Sequence, residues 1–307
     1  MTPVPQTSNS KGRPIVDADS TTGYDIAALK AIYEKDGVVK VPALVSQAWV
    51  ARLTAAIAEF RKRDPGDVRS KYFGHGPGRS TVRWMWREVE ELLQFASESG
   101  VAPVIGGIVG ASFLRFWYDN TFIHESGYEE ITAEAGYERE FLAGTPWHHD
   151  VVAFPFAGEQ DPGLWVALTP VSEDTAPLTC IKGSHRTGVL YRPAVYFDQH
   201  APVAEGFRDT PDWDAAIAAG EWEKVWFPME PGDALIIHPN TVHGAPPAKN
   251  GAATRIGFSS RWAGDDIRWW DQPYALKFLG IDFADVEAGT APDGEFFPMV
   301  WKAEPSA

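Results

Sequence analysis

A chain of 307 residues is long enough for one large domain or two small ones, and for a substantial core. Its formal charge of −15 removes the main attraction to phosphate, which argues against a nucleic-acid or anionic-membrane surface and for a small-molecule substrate. The single cysteine, Cys180, excludes an internal disulfide and a cysteine-rich metal site, while 13 Trp and 17 Phe supply rings for a core and for an apolar ligand pocket.

Residues 1–20, rich in Pro, Ser, Thr and Asn, read as a loose arm ahead of a single domain over 21–307. Met1–Pro14 carries no apolar signal-peptide core and no run reaches transmembrane length, so a cytoplasmic location is expected. The domain divides into a helical part over 21–110, a strand-rich core over about 112–262 and an extension over 263–307. Asp25 is a good N-cap for a helix with Ile26, Leu29, Ile32 and Tyr33 on one face, and Gly37 stops it. A short strand follows at Val38–Val41, then a helix capped by Ser46 with an apolar stripe of Trp49, Val50, Leu53, Ile57 and Phe60. Residues 63–87, rich in Gly, Pro and Arg, read as a long loop. Its Trp residues pack on the core, or else it walls a pocket in which Trp86 faces substrate and Arg83 or Arg87 meets an anion. Helices are expected again through Val89, Leu92, Leu93 and Ala96, and up to Gly110.

From about 112 the pattern becomes β-like: 112–118, 147–156, 164–169, 178–181, 194–198, 224–229, 233–238 and 254–262. Short strands with Gly/Pro punctuation and no long helices between them imply a sandwich or barrel, with the insertions 124–143 and 199–222 covering one end. The acidic run Glu129–Glu140 reads as a solvated face, and the tail residues Trp269, Trp270 and Phe278 as packing on this domain or on another subunit; the oligomeric state is left open.

Within this region lies Trp147-His148-His149-Asp150. In an extended segment His148 and Asp150 project to one face and His149 to the other. An imidazole and a carboxylate on one face are two parts of a two-His-one-carboxylate triad for non-haem Fe(II), although the tripeptide alone is a weak signal. Candidates for the third ligand are His185, His200, His238 and His243. The apolar strand launched by Pro231-Gly-Asp233 leaves His238 and His243 in play, and Gly244 favours His243 by allowing close backbone approach. Arg255, shortly afterwards, suits a dicarboxylate whose distal end needs a fixed guanidinium, with Arg261 on the same strand face as runner-up.

Taken in order, His148-x-Asp150 with Phe154-Pro-Phe156, Leu164-Trp-Val-Ala-Leu168, Leu178 with Gly183-Ser-His185, Pro231-Gly-Asp233 with His243-Gly244, and Arg255 resemble the phytanoyl-CoA dioxygenase family; Asp36-Gly-Val-Val-Lys-Val-Pro42 is similar to its opening strand. The resemblance spans about residues 25–262. It implies a mainly β fold with flanking helices, a double-stranded β-helix of the jelly-roll, cupin-like kind. It also implies His148, Asp150 and His243 as ligands of Fe(II), Arg255 on the distal carboxylate of 2-oxoglutarate, Trp165 lining that site and Asn120 touching the co-substrate. With O2 as the other co-substrate, the implied outcome is hydroxylation of an unactivated C–H bond of a small organic molecule, with release of succinate and carbon dioxide. Two departures stand out: Asp174-Thr-Ala-Pro-Leu178 replaces the family's usual Asn-Gly-Pro/Cys-Leu, and a common lysine is replaced near His124. Asp150 stands where halogenating relatives carry a small residue, which argues against halogenation. Thr145, His149 and Phe154 join Arg83 and Trp86 as residues expected around the substrate. The alternatives are a cupin-type metal enzyme that does not use 2-oxoglutarate, and a non-catalytic β-barrel binding protein.

Overall fold

Two capped helices open the chain as their sequences require. In the computed structural model, which describes residues 23–64, 73–76, 79–124, 144–193, 202–249, 251–275 and 286–304, the Asp25 carboxylate accepts the Ala28 N–H at 2.9 Å and Ser46 Oγ accepts the Trp49 N–H at 3.3 Å. Gly37 ends the first helix in the left-handed conformation. The elements are α1 (Ile26–Asp36), β1 (Val38–Val41), α2 (Gln47–Arg61), β2 (Phe73–Gly76), β3 (Arg79–Arg83), α3 (Glu90–Glu98), α4 (Val101–Val109), β4 (Phe113–His124), β5 (Thr145–His148), β6 (Phe156–Ala157), β7 (Gly163–Ala167), β8 (Thr179–Ile181), β9 (Leu190–Tyr191), β10 (Phe207–Arg208), α5 (Trp213–Ala218), β11 (Lys224–Trp226), β12 (Ala234–Ile237), β13 (His243–Ala245), β14 (Arg255–Ala263), β15 (Arg268–Trp269) and β16 (Met299–Lys302).

Among the described residues, an eight-stranded sheet runs β1-β12-β7-β14-β4-β3-β2 with β16 also on β4, and a four-stranded sheet runs β11-β8-β13-β5. These are the two sheets of an antiparallel double-stranded β-helix that does not close into a barrel. Alternation along the strands gives the large sheet two different faces. Leu164, Val166, Ile236, Phe258 and Trp262 turn outward into a core shared with α1–α4. Trp165, Leu235 and Ile237 turn inward and meet Cys180 of the small sheet, which places the functional space between the sheets. The small sheet's outer face is covered by Trp213 of α5, packed with Ile181 and Val242. No single helix among the described residues is long and apolar enough to cross a membrane; the bent apolar pair α3 and α4 contributes its buried side chains to the helix-covered core.

Several expectations change. Residues 63–87 are not one long loop: β2 and β3 form a hairpin that extends the large sheet along β4. In Arg79-Ser-Thr-Val-Arg83 only Val82 faces the apolar core, so the strand carries too little hydrophobic alternation to be recognised. The strand expected at 147–156 breaks after His149 into a 3₁₀ turn over Asp150–Ala153, where the Val151 N–H bonds Pro239 O at 3.1 Å. The strand placed at 112–118 runs on to His124. The described part of the 199–222 insertion holds β10 and α5. The tail packs on its own chain, with Trp269 against Phe156 and Phe297, and Trp270 stacked on Phe207. The arm over 1–20, the strand expected at 194–198, His200, Phe278 and the acidic run Glu129–Glu140 lie outside the described residues.

The turn before β12 is fixed by Asp233, which is buried and accepts N–H groups from Ala43 at 2.8 Å and Glu230 at 3.0 Å, with Lys40 Nζ at 2.9 Å. Burial raises this carboxyl, but the Ala43 N–H, Lys40 and the Glu230 N–H outweigh it and hold it below the usual carboxylate range. A depressed folded value adds stability above the unfolded carboxyl pKa of about 4 and loses it as pH falls through the folded value. Asp233→Asn is therefore expected to destabilise the protein at pH 7 in urea unfolding, with the gap to wild type narrowing as the pH is lowered below about 4.

Candidate active site

The geometry of the candidate metal-binding group comes from main-chain pairing. His148 in β5 stands directly across from His243 in β13, and β13 is flanked on its other side by β8. This close approach depends on Gly244, where a Cβ would lie 2.7 Å from Thr145 O. The two imidazole rings are 4.3 Å apart. His148 Nδ1 lies 2.8 Å from Pro146 O, and His243 Nδ1 lies 2.9 Å from Thr241 O. A carbonyl only accepts, so each Nδ1 carries a proton, and each Nε2 is the ring nitrogen turned toward Asp150. The Asp150 carboxylate completes the group, with Oδ1 3.7 Å from His148 Nε2 and Oδ2 3.4 Å from His243 Nε2. One donor atom from each of the three residues lies within 4.8 Å of the others. Burial pushes His243 down to about 4, which keeps it neutral near pH 7. Burial works against the Asp150 charge, yet Arg261, with the two histidines, pulls this carboxyl far below the usual range. Two imidazoles and one carboxylate are the donor set that suits Fe(II).

Facing this group is the inner side of the large sheet, where β14 presents Arg255, Gly257, Ser259 and Arg261 by alternation. Arg255 is buried, with its guanidinium 5.5 Å from the Trp165 ring centroid. Gly257 makes room for that indole, because a Cβ there would overlap Trp165. Arg255 is also level with His124 of β4, which in turn is level with Arg79 of β3. Burial, with Arg79 adding to it, lowers Arg255 to about 9, and burial followed by the two arginines lowers His124 to about 2. The result is a neutral imidazole between two guanidinium groups. Arg79 donates to Gly144 O at 2.8 Å and Thr145 Oγ1 at 3.4 Å, tying β3 to the approach of β5. Nε of Arg255 and Oδ1 of Asn120 are buried with no hydrogen-bond partner among the described residues. Buried polar atoms left unpaired are costly, and a cation with a free donor fits an anionic ligand.

Arg261 has a different partner: its Nη2 meets Oδ2 of Asp150. Asp161, buried beside it and accepting the Trp117 indole N–H at 3.2 Å, is pushed by burial up to about 8. Phe154 packs on Trp117 and Tyr118 with Arg261 over its ring at 5.7 Å. Arg83 is level with Asn120 on the inner face, and Thr145 lies at the start of β5. Two residues expected near substrate are elsewhere. His149 points away from the donor group, its Nε2 accepting the Tyr191 N–H at 3.0 Å. Trp86 lies in the helix-covered core, donating to Trp117 O at 3.2 Å and packed edge-on against Phe116. Of the alternative histidines, His238 is buried against Tyr33 and His185 beside α1, away from the donor group. Sequence reasoning missed Arg79, Gly163 and Gly257, and for Gly257 the signal was a glycine two residues past Arg255 inside a strand.

Comparison with known proteins gives a consistent picture. Residues 33–257 match the family described as phytanoyl-CoA dioxygenase (PhyH). A Caenorhabditis elegans protein named probable phytanoyl-CoA dioxygenase is 28% identical over 268 residues, which are 83% of this chain and 81% of the relative. The fold is similar to that of the epimerase SnoN from nogalamycin biosynthesis, solved with Fe3+, alpha ketoglutarate and nogalamycin RO, at TM-score 0.67 and 21% identity over 90% of this chain and 98% of that one. It is also similar to EctD from S. alaskensis with 2-oxoglutarate and 5-hydroxyectoine, at TM-score 0.62 and 17% identity over 91% and 90%.

Removing the Asp150 carboxylate strands Arg261 as a buried, unpaired cation. Asp150→Ala is expected to destabilise the metal-free protein by about 3–5 kcal/mol, measured by urea unfolding in the presence of a chelator. Unchanged stability would show that Arg261 is solvated or finds another partner.

Proposed function

The chain belongs to the phytanoyl-CoA dioxygenase family, and we propose that it hydroxylates an unactivated C–H bond of a small organic molecule while 2-oxoglutarate is converted to succinate and carbon dioxide. It is a 2-oxoglutarate-dependent non-haem iron oxygenase, with Fe(II), 2-oxoglutarate and O2 as cofactor and co-substrates. The observation that carries the reading is the convergence of two histidine Nε2 atoms and one carboxylate opposite a buried arginine. In this reading His148, Asp150 and His243 hold the metal from one side. Bound iron supplies the activation of O2.

The chain's own contribution is placement and protection. Arg255 binds the distal carboxylate of 2-oxoglutarate through charge-assisted hydrogen bonds, and the Trp165 indole keeps its guanidinium in place from one side. The neutral His124 next to Arg255 adds no competing charge. Asn120 offers its unpaired amide oxygen to the same inner space. Arg83, Thr145 and Phe154 stand around the position left for substrate, and the aromatic packing behind Phe154 excludes water from one side. The Asp150 carboxylate occupies the position a halide would take, which disfavours halogenation. SnoN is an epimerase and SnoK, a further similar structure at TM-score 0.64, a carbocyclase, so related folds serve other oxidative outcomes. A product that gains one oxygen atom supports hydroxylation, and an isomerised or ring-closed product would replace it.

Anaerobic addition of Fe(II) and 2-oxoglutarate is expected to give a weak visible absorption band, lost in His243→Ala. Arg255→Ala is expected to weaken 2-oxoglutarate binding by at least about thirty-fold, from about 2 kcal/mol for stranding a buried charge partner, while Mn(II) affinity stays near wild type by calorimetry. Equal losses of both would make Arg255 structural and sink its role as the anchor.

A further inference from the structure

Arg261 is 6% exposed, on the inner face of β14, and its seat is built on three sides. The Asp150 carboxylate holds Nη2, and the Phe154 ring lies 5.7 Å from the guanidinium. On the third side a Cβ at Gly163 would lie 2.7 Å from Nη1 and 2.9 Å from Cζ. Gly163 is in β7, directly level with Arg261, and its φ is not positive, so space for the guanidinium is what the glycine provides. Desolvating a guanidinium is costly, and the position serves no packing role that an apolar side chain would not fill better.

We propose that Arg261 is a positioning residue for the metal centre: by holding Oδ2 of Asp150 it fixes the orientation in which the carboxylate faces the two histidines. This rests on the reading of His148, Asp150 and His243 as metal ligands. The need for it follows from where Asp150 stands. Both histidines sit on paired strands with Nδ1 bonded to a backbone carbonyl, whereas Asp150 begins a 3₁₀ turn, and its carboxylate is fixed by Arg261. A carboxylate free to turn would not keep that orientation, and a metal held there would lose a fixed ligand. Partners behind a ligand commonly set its orientation and its affinity for metal.

The test uses the full chain with Mn(II) and Co(II), by calorimetry and by the visible spectrum of the Co(II) form, without turnover. Arg261→Gln is expected to bind Mn(II) about 10- to 100-fold more weakly and to shift the Co(II) bands as the coordination changes. Arg261→Lys, which keeps the charge but loses the planar fork, should recover part of the affinity. Gly163→Ala, which pushes the guanidinium off its seat, should reproduce the spectral shift in the wild-type background and add nothing in Arg261→Gln. Wild-type affinity and spectrum in Arg261→Gln overturn the proposal. If that variant does not fold, wild-type behaviour in both Arg261→Lys and Gly163→Ala overturns it. Absence of Mn(II) and Co(II) binding by the wild type would overturn the metal-centre reading and this inference together, whereas wild-type binding by the variants overturns this inference alone.

Discussion

The register of β14 between β4 and β7 is the constraint on which the two halves of the molecule depend. One parity of this strand sends Phe258 and Trp262 into the helix-covered core, where they meet Phe95 and Phe116 edge-on with ring centroids 5.5 and 5.2 Å apart. The other parity sends Arg255, Gly257, Ser259 and Arg261 inward. A slip of one residue would bury the arginines under the helices and expose the aromatics to the polar interior. The aromatic contacts therefore set the positions of two guanidinium groups without touching either. That links a purely apolar core to the charge pattern of the site.

The charge pattern inside the molecule runs against that of the whole chain. The sequence carries −15, yet the inner face of the large sheet gathers Arg79, Arg83, Arg255 and Arg261. Net charge governs long-range encounters and solubility, while a buried pocket is governed by the few groups that line it. Here the cations divide by function. Arg261 faces the Asp150 carboxylate through Nη2, although its Nη1 is buried with no partner among the described residues, and Arg79 faces the carbonyl and hydroxyl at the start of β5. Arg255 retains a buried Nε with no partner among the described residues. An inner surface so arranged calls for an anion at Arg255, and a dicarboxylate co-substrate brings one.

The sequence made some of this legible for clear physical reasons. Helix caps are local, so Asp25, Gly37 and Ser46 could be read directly. The choice of His148 over His149 followed from strand alternation, which the extended backbone of His149 carries one residue past the end of β5 at His148. Gly244 favoured His243 over His238 without deciding between them; the family resemblance pointed to His243, which the structure brings beside His148 and Asp150. What stayed hidden was whatever depends on a polar interior. β3 lines that interior with Arg and Thr, so the alternation that marks a half-buried strand was absent. Trp86 looked like a pocket residue by composition, but Val82 and Met85 carry the same segment into the helix-covered core. Arg261 was visible only as a second possible anchor, because nothing local to either residue links position 261 to Asp150.

The two sheets also divide the labour of the site. The histidines come from adjacent strands of the small sheet, with their tautomers fixed by carbonyls two residues away in their own chain. Their geometry is therefore nearly as rigid as the backbone ladder itself. Arg255 and Trp165 come from adjacent strands of the large sheet and are set by the same kind of ladder. Asp150 belongs to neither ladder, since it begins a 3₁₀ turn. It contacts the small sheet through the two histidines and the large sheet through Arg261. A carboxylate in that position couples the spacing of the sheets to the His148–Asp150–His243 group, and the apolar layer around Cys180, Leu235 and Ile237 sets that spacing. Packing between the sheets, which begins at Cys180 beside His243, thus belongs to the same mechanical unit as the carboxylate.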